Sequence, residues 1–163
     1  MLIVCGAVGT EPAYFDGLKQ ARRNPAVKVK VLGKGVAPDQ LVRYTCKVGD
    51  GYDEIWCVVD TDEYDIPAAV RAARGTRVQL SVSDPCFEYW LILHFQDCHR
   101  PARCYDEVLP ILRRHVPGYD KTRLTFAQFD AGVERAIERA RARDGGGNPA
   151  TGVWKLALNV LPD

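Results

Sequence analysis

Residues 55–63 read Ile55-Trp56-Cys57-Val58-Val59-Asp60-Thr61-Asp62-Glu63, an apolar run that stops abruptly at two carboxylates one residue apart. The run is short and rich in β-branched side chains, which marks a buried strand of a parallel sheet. In open α/β sheets ligands bind just outside the carboxyl ends of the strands, so Asp60 and Asp62 fall where chemistry usually sits. Alternate residues of an extended segment point the same way, and both carboxylates can face one cation. Hard divalent ions such as Mg²⁺ favour such oxygen-rich surroundings. A polar loop after a core strand, with Asp62 or Glu63 capping the next helix, fits the same letters.

Outward from this stretch, further strands are expected from Leu2 to Cys5, from Val27 to Leu32 and from Val78 to Val82. Val27, Val29 and Val31 alternate with Lys28 and Lys30, the mark of a half-buried or edge strand. Gly6-Ala7-Val8-Gly9 reads as a small-residue turn, and a Gly-rich turn follows Leu32. Thr10 is a good N-cap, and Pro12 suits the first turn of a helix running to about Arg23. Helices are also expected from about Pro38 to Val48 and from Ile66 to Arg74, the latter ended by Gly75. Others start at Ser83-Asp84-Pro85, run from Cys104 to His115 and from Phe126 to Arg143, and follow Asn148-Pro149 to about Val160. Strands alternate with helices at first, and helices then accumulate. The fold class is therefore α/β: one domain over residues 1–163, a small parallel sheet of about four strands flanked by helices, with a helical C-terminal half.

The 163 residues carry a formal net charge of +1, so no overall field draws the chain to nucleic acid. Any such contact has to come from local basic stripes. The six cysteines form no CxxC pair, the opening Met1-Leu2-Ile3-Val4-Cys5 is too short for a secretory signal and lacks its basic leader, and no apolar run is long enough for a bilayer. A reduced, cytoplasmic protein without a membrane segment is the expectation.

Several constellations carry chemistry. In a doubly wound sheet the loops after the first and third strands lie side by side, which brings Glu11 near Asp60 and Asp62. Three carboxylates at one rim repel one another unless a cation or protons intervene. Alternatively, Glu11 is a first-turn acid complementing the helix dipole. Glu88 sits between Phe87 and Trp90 in an apolar helix and needs a partner: a metal, an arginine or a helix terminus. Lys121 follows Gly118-Tyr119-Asp120 and either faces solvent or stabilises charge building on a phosphate. His94, Cys98, His99 and Cys104 lack the paired spacing of a structural zinc site. Arg135, Arg139 and Arg143 recur every fourth residue and line one helix face, either as a phosphate-tracking stripe or as an ion-paired surface with Glu134 and Glu138. Haloacid-dehalogenase phosphatases also place a DxD after a strand, but there it follows the first strand and continues DxDx[TV], whereas here Tyr64 holds the last position.

Thr10-Glu11-Pro12-Ala13-Tyr14-Phe15, then WCVVDTDE, SDPCFEYWLILHF, GYDK and NPATGVWKL, follow one another along the chain. In this order they resemble the RloB family and are similar to AbiLii abortive-infection proteins; the middle motif stands beside the family's SNPCFELWLLLHF. The resemblance implies a TOPRIM-like fold, shared with the nuclease part of OLD-type proteins. It also implies a role in bacterial antiphage defence, often beside a partner ATPase or within restriction-modification loci. Such sites use carboxylates and Mg²⁺ or Mn²⁺ for phosphodiester chemistry. Position by position, the resemblance makes Glu11, Asp60, Asp62, Glu88 and Lys121 catalytic, the four acids also being metal ligands. One departure stands out: the family usually reads CEGxxTE after the first strand, and Gly6 replaces the first glutamate. Asp84 replaces the family's asparagine. The resemblance thus points to a metal-dependent nuclease acting on DNA or RNA. The alternative is a catalytically inactive binding or regulatory subunit of a defence complex. Nucleic acid and a partner ATPase are the expected partners, and a homodimer is compatible.

Overall fold

The computed structural model describes residues 1–6, 9–31 and 36–161. A central sheet has the strand order β2-β1-β3-β4-β5. β1 (Leu2–Cys5), β2 (Lys28–Val31), β3 (Ile55–Asp60) and β4 (Val78–Asp84) are parallel, and β5 (Ala150–Thr151) runs antiparallel to β4. Ala7, Val8 and residues 32–35, on which the two expected turns and the end of the second strand fall, lie outside the described residues.

β1 and β3 are buried along their whole length, because both faces of the sheet are covered. Ile3, Cys5, Trp56 and Val58 enter one core, shared with Tyr14, Phe15 and Leu18 of α1 (Thr10–Ala21). Leu2, Val4, Ile55, Cys57 and Val59 enter a second core with Leu41 and Val42 of α2 (Pro38–Val48). Ile66, Ala72 and Ala73 of α3 (Ile66–Ala73) pack against this second core. Burial on both faces is why these strands read as continuous apolar runs rather than alternating ones. It also fixes the topology. The helix after β1 covers one face, and the helix after β3 covers the other. β1 and β3 are adjacent, with Cys5 in register with Val58. Neighbouring strands whose chains leave to opposite faces open a crevice at their carboxyl ends.

The C-terminal half thickens the first face. α4 (Phe87–Ile92) is buried at all six positions. α5 (Tyr105–Leu112), α6 (Val133–Ala142) and α7 (Val153–Val160) surround it. The helix expected from Phe126 is interrupted: two 3₁₀ turns, Phe126–Gln128 and Asp130–Gly132, precede α6. Three residues per turn stack Phe126 and Phe129 on one side, and both go into the core. β5 was not expected; its two residues are too few to show a periodicity. Neither was the capping pattern. Asp65, not Asp62 or Glu63, caps α3 through its Oδ1, which accepts from Ala68 N at 3.0 Å. Within the arginine stripe, Arg139 donates to the Leu93 carbonyl and Arg143 to that of Pro149. No helix among the described residues is long and apolar enough to cross a membrane.

His94 is a core residue. Its Nδ1 lies 3.0 Å from the Trp90 carbonyl, which can only accept, so Nδ1 carries the proton. Nε2 then accepts from the Tyr14 hydroxyl at 3.0 Å. Both nitrogens are engaged, which removes His94 from any zinc set. All six cysteines are free.

Burial lowers the His94 pKa from 6.5 to about 4. A depressed folded-state pKa contributes stability present above pH 6.5 and lost as pH falls through about 4. The stability difference between wild type and His94→Gln, measured by urea unfolding, is therefore expected to shrink by up to about 3 kcal/mol over that interval. A difference that is constant with pH contradicts this role for His94.

Candidate functional site

A cavity of about 570 Å³ opens at the carboxyl ends of β1 and β3, where the topology leaves its crevice. Glu11, Asp60, Asp62, Glu88 and Lys121 all line it. Four elements contribute these groups: the first turn of α1, the end of β3, the first turn of α4 and the loop after α5.

Asp60 is the last residue of β3, and its carbonyl accepts from Glu63 N and Tyr64 N, closing a tight turn. The residue is only 6% exposed. Oδ1 is buried and has no hydrogen-bond partner among the described residues. Burying a carboxylate without full hydrogen bonding disfavours its charged form strongly, so such a group takes up a proton or pairs with a cation. Burial, then the charges of Glu11, Glu88 and Asp62, push the Asp60 pKa well above the usual carboxylate range, partly offset by the Phe87 N–H.

Glu11 stands in the first turn of α1. Burial, reinforced by Glu88 and Glu63, raises its pKa to about 7, against the lowering effect of its own backbone N–H and of Lys121. Glu88, 5% exposed, has the partner its setting demands: the Tyr119 hydroxyl donates to Oε1 at 2.7 Å. Thr10, expected as an N-cap, is instead the first helical residue after Gly9. Its hydroxyl lies 2.8 Å from Tyr119 Oη, 3.1 Å from the Lys121 carbonyl and 3.4 Å from Glu88 Oε1. This small network ties the 118–121 loop to α1 and α4. Gly9 makes it possible. Its φ of 132° is a region that side chains rarely adopt, and a Cβ there would stand 3.0 Å from the Lys121 carbonyl oxygen.

Asp62 is exposed and turned toward α5, where its Oδ2 accepts from Tyr105 N at 3.1 Å. Burial of its inner side raises its pKa. Lys121 is exposed at the mouth, with Nζ 5.0 Å from the centre of the Tyr105 ring. Cys86 also borders the cavity, and burial, reinforced by Glu88, pushes its thiol far up.

The sequence-derived acids therefore share one pocket, yet they do not converge on a single point. Among the described residues no three His, Cys, Asp or Glu side chains are arranged to hold a metal ion as placed. Asp62 is held outward by Tyr105, and Glu88 inward by Tyr119. The chemistry of the donor set still suits a hard cation: it is all oxygen, mutually repelling, and includes a buried oxygen with an unused lone pair. Tyr64, Tyr105, Tyr119 and Thr10 were not expected at the site. Tyr64 and Tyr105 stand among acidic residues with no spacing that marks them, and only the GYDK stretch singles out Tyr119.

Two stability measurements test this electrostatic picture. Asp60→Asn removes the charge that burial and its neighbours oppose, so without divalent metal it is expected to raise the thermal midpoint at neutral pH by about 2–6 °C. A raised folded-state pKa contributes stability present below the unfolded value of 4.5 and lost as pH rises through about 7. Glu11→Gln therefore gains stability relative to wild type across that interval. A lowered midpoint for Asp60→Asn, or a pH-independent difference for Glu11→Gln, contradicts the picture.

Comparison with curated proteins gave no match, and neither did comparison with solved structures. The family model described as RloB-like protein matches residues 1–159. That span includes every strand, every helix but the last residue of α7, and all the side chains lining the cavity. This chain belongs to the RloB-like protein family.

Proposed function

We propose that this protein is a divalent-metal-dependent nuclease, hydrolysing phosphodiester bonds of DNA or RNA. The observation that carries the reading is the Asp60 carboxylate: buried, with Oδ1 unpartnered among the described residues, and crowded by Glu11 and Glu88 at the crevice between β1 and β3. A group held in this state is relieved by a proton or a cation, and the open mouth admits a ligand.

Asp60, Glu11, Asp62 and Glu88 would hold Mg²⁺ or Mn²⁺. When bound, such an ion lowers the pKa of water and offsets phosphate charge. Without metal, burial and Glu88 keep a proton on Glu11 up to about pH 7, so metal binding there is coupled to release of that proton. Thr10 and Tyr119 hold Glu88 in one orientation. Lys121 brings a positive charge to the mouth, where the non-bridging oxygens of a phosphate would enter. On this reading the fold is of the TOPRIM type and related to OLD-type nucleases and AbiLii-like proteins. The protein then works in the cytoplasm in antiphage defence, beside a partner ATPase.

A second reading, a non-catalytic binding or regulatory subunit, is favoured by two observations: Gly6 stands where the family's first glutamate is usual, and the acids do not converge as placed. Metal-dependent cleavage separates the two. Wild-type protein with Mn²⁺ or Mg²⁺ is expected to cut DNA or RNA, and EDTA to abolish the cutting. Asp60→Asn is expected to lose about 100-fold or more, and Lys121→Ala about 10–100-fold. Equal turnover by wild type and Asp60→Asn contradicts the nuclease. An inert wild type that still binds nucleic acid supports the second reading.

A further inference from the structure

We propose that the Tyr64 phenol occupies the place at this pocket that a side chain on residue 6 would otherwise take, and donates its O–H to an anionic phosphoryl oxygen of the nucleic-acid ligand. This rests on the nuclease reading for the class of ligand. The placement itself rests on geometry.

Gly6 follows the last residue of β1 and lines the cavity. A Cβ added there would fall inside the van der Waals envelope of the Tyr64 hydroxyl oxygen, and within 2.9 Å of the ring carbon bearing it. Residue 6 and the Tyr64 hydroxyl are thus alternatives for one volume. Tyr64 is fixed at both ends of its short segment. Its N–H donates to the Asp60 carbonyl at 3.0 Å, and Asp65 next to it caps α3. The ring body packs against the core on the α2 and α3 face, so the hydroxyl reaches the cavity from a supported base. The donor is therefore pre-positioned rather than carried on a loose chain.

The charge pattern says what such a donor is for. Asp60, Asp62, Asp65, Glu11, Glu63 and Glu88 line the cavity, and Lys121 is the cation among its described lining residues. An entering phosphate is repelled by these carboxylates. A further carboxylate at residue 6 would add to that repulsion, whereas a phenol adds a hydrogen-bond donor and no charge. Tyr64 is then a positioning residue for the anion and plays no part in holding metal.

The test uses the full chain, Mn²⁺ and a single-stranded phosphorothioate oligothymidine, with Mn²⁺ affinity and oligonucleotide affinity measured separately. Tyr64→Phe keeps the ring and is expected to bind the oligonucleotide about tenfold more weakly. Its Mn²⁺ affinity and thermal midpoint are expected to match wild type. Gly6→Ala displaces the hydroxyl and is expected to show a similar loss, with no additional loss in the Gly6→Ala/Tyr64→Phe double variant. Wild-type oligonucleotide affinity in Tyr64→Phe or in Gly6→Ala overturns the assignment while leaving the metal reading intact. Unchanged Mn²⁺ affinity in Asp60→Asn, with the loss in Tyr64→Phe present, overturns the metal reading while leaving this assignment standing. A wild type that does not bind the oligonucleotide overturns both the assignment and the nucleic-acid substrate.

Discussion

A carboxylate at the end of a buried strand is the constraint around which this molecule is arranged. Asp60 cannot move away from Glu11 and Glu88, because each is rooted in an element that the two cores hold in place. β3 is buried on both faces, α1 packs through Tyr14, Phe15 and Leu18, and α4 is buried at every position. Repulsion among the three is therefore built into the fold, not an accident of surface side chains. Stability given up at one point in this way is characteristic of sites that bind something. The raised pKa values of Asp60 and Glu11 record the same tension.

The tyrosines temper that tension without cancelling it. Tyr119 satisfies Glu88, the Tyr105 backbone holds Asp62 aside, and the Tyr64 hydroxyl fills the volume left by Gly6. Each supplies a neutral donor or simply bulk. The result is a pocket whose acids are oriented but not gathered, with Lys121 stationed over an aromatic ring at its mouth. A strand order that sends the chains after β1 and β3 to opposite faces places all of this at one crevice. Membership of the RloB-like family extends over that entire arrangement.

Much of the architecture is legible in the letters because burial on two faces leaves a strong trace. The runs at Leu2–Cys5 and Ile55–Val59 are apolar without alternation, and both are central strands. β2, with its lysines, is the edge its alternation implies. What escapes is what local sequence does not encode. β5 is too short for any periodicity. The 3₁₀ turns at Phe126 and Asp130 answer to packing of Phe126 and Phe129, although the segment scans as helix. Thr10 looks like a cap and spends its hydroxyl on a loop more than a hundred residues away. The arginines of α6 have helical spacing, but two of them are consumed by backbone carbonyls. At the site, the spacing of Asp60 and Asp62 shows two acids near one rim, but not that Tyr105 holds one of them outward. Nor does a lone glycine at residue 6 disclose which distant side chain fills its space.

The central claim is that Asp60 Oδ1, without a partner among the described residues, is completed by a divalent cation. Diffraction from crystals soaked in Mn²⁺, read at the manganese absorption edge, tests it most directly. The account predicts an anomalous peak in the cavity, bonded to Asp60 Oδ1 and to at least one oxygen of Glu11, Glu88 or Asp62, at about the 2.0–2.6 Å typical of hard cations. An empty cavity at saturating Mn²⁺, or a peak on acids elsewhere on the surface, would contradict it.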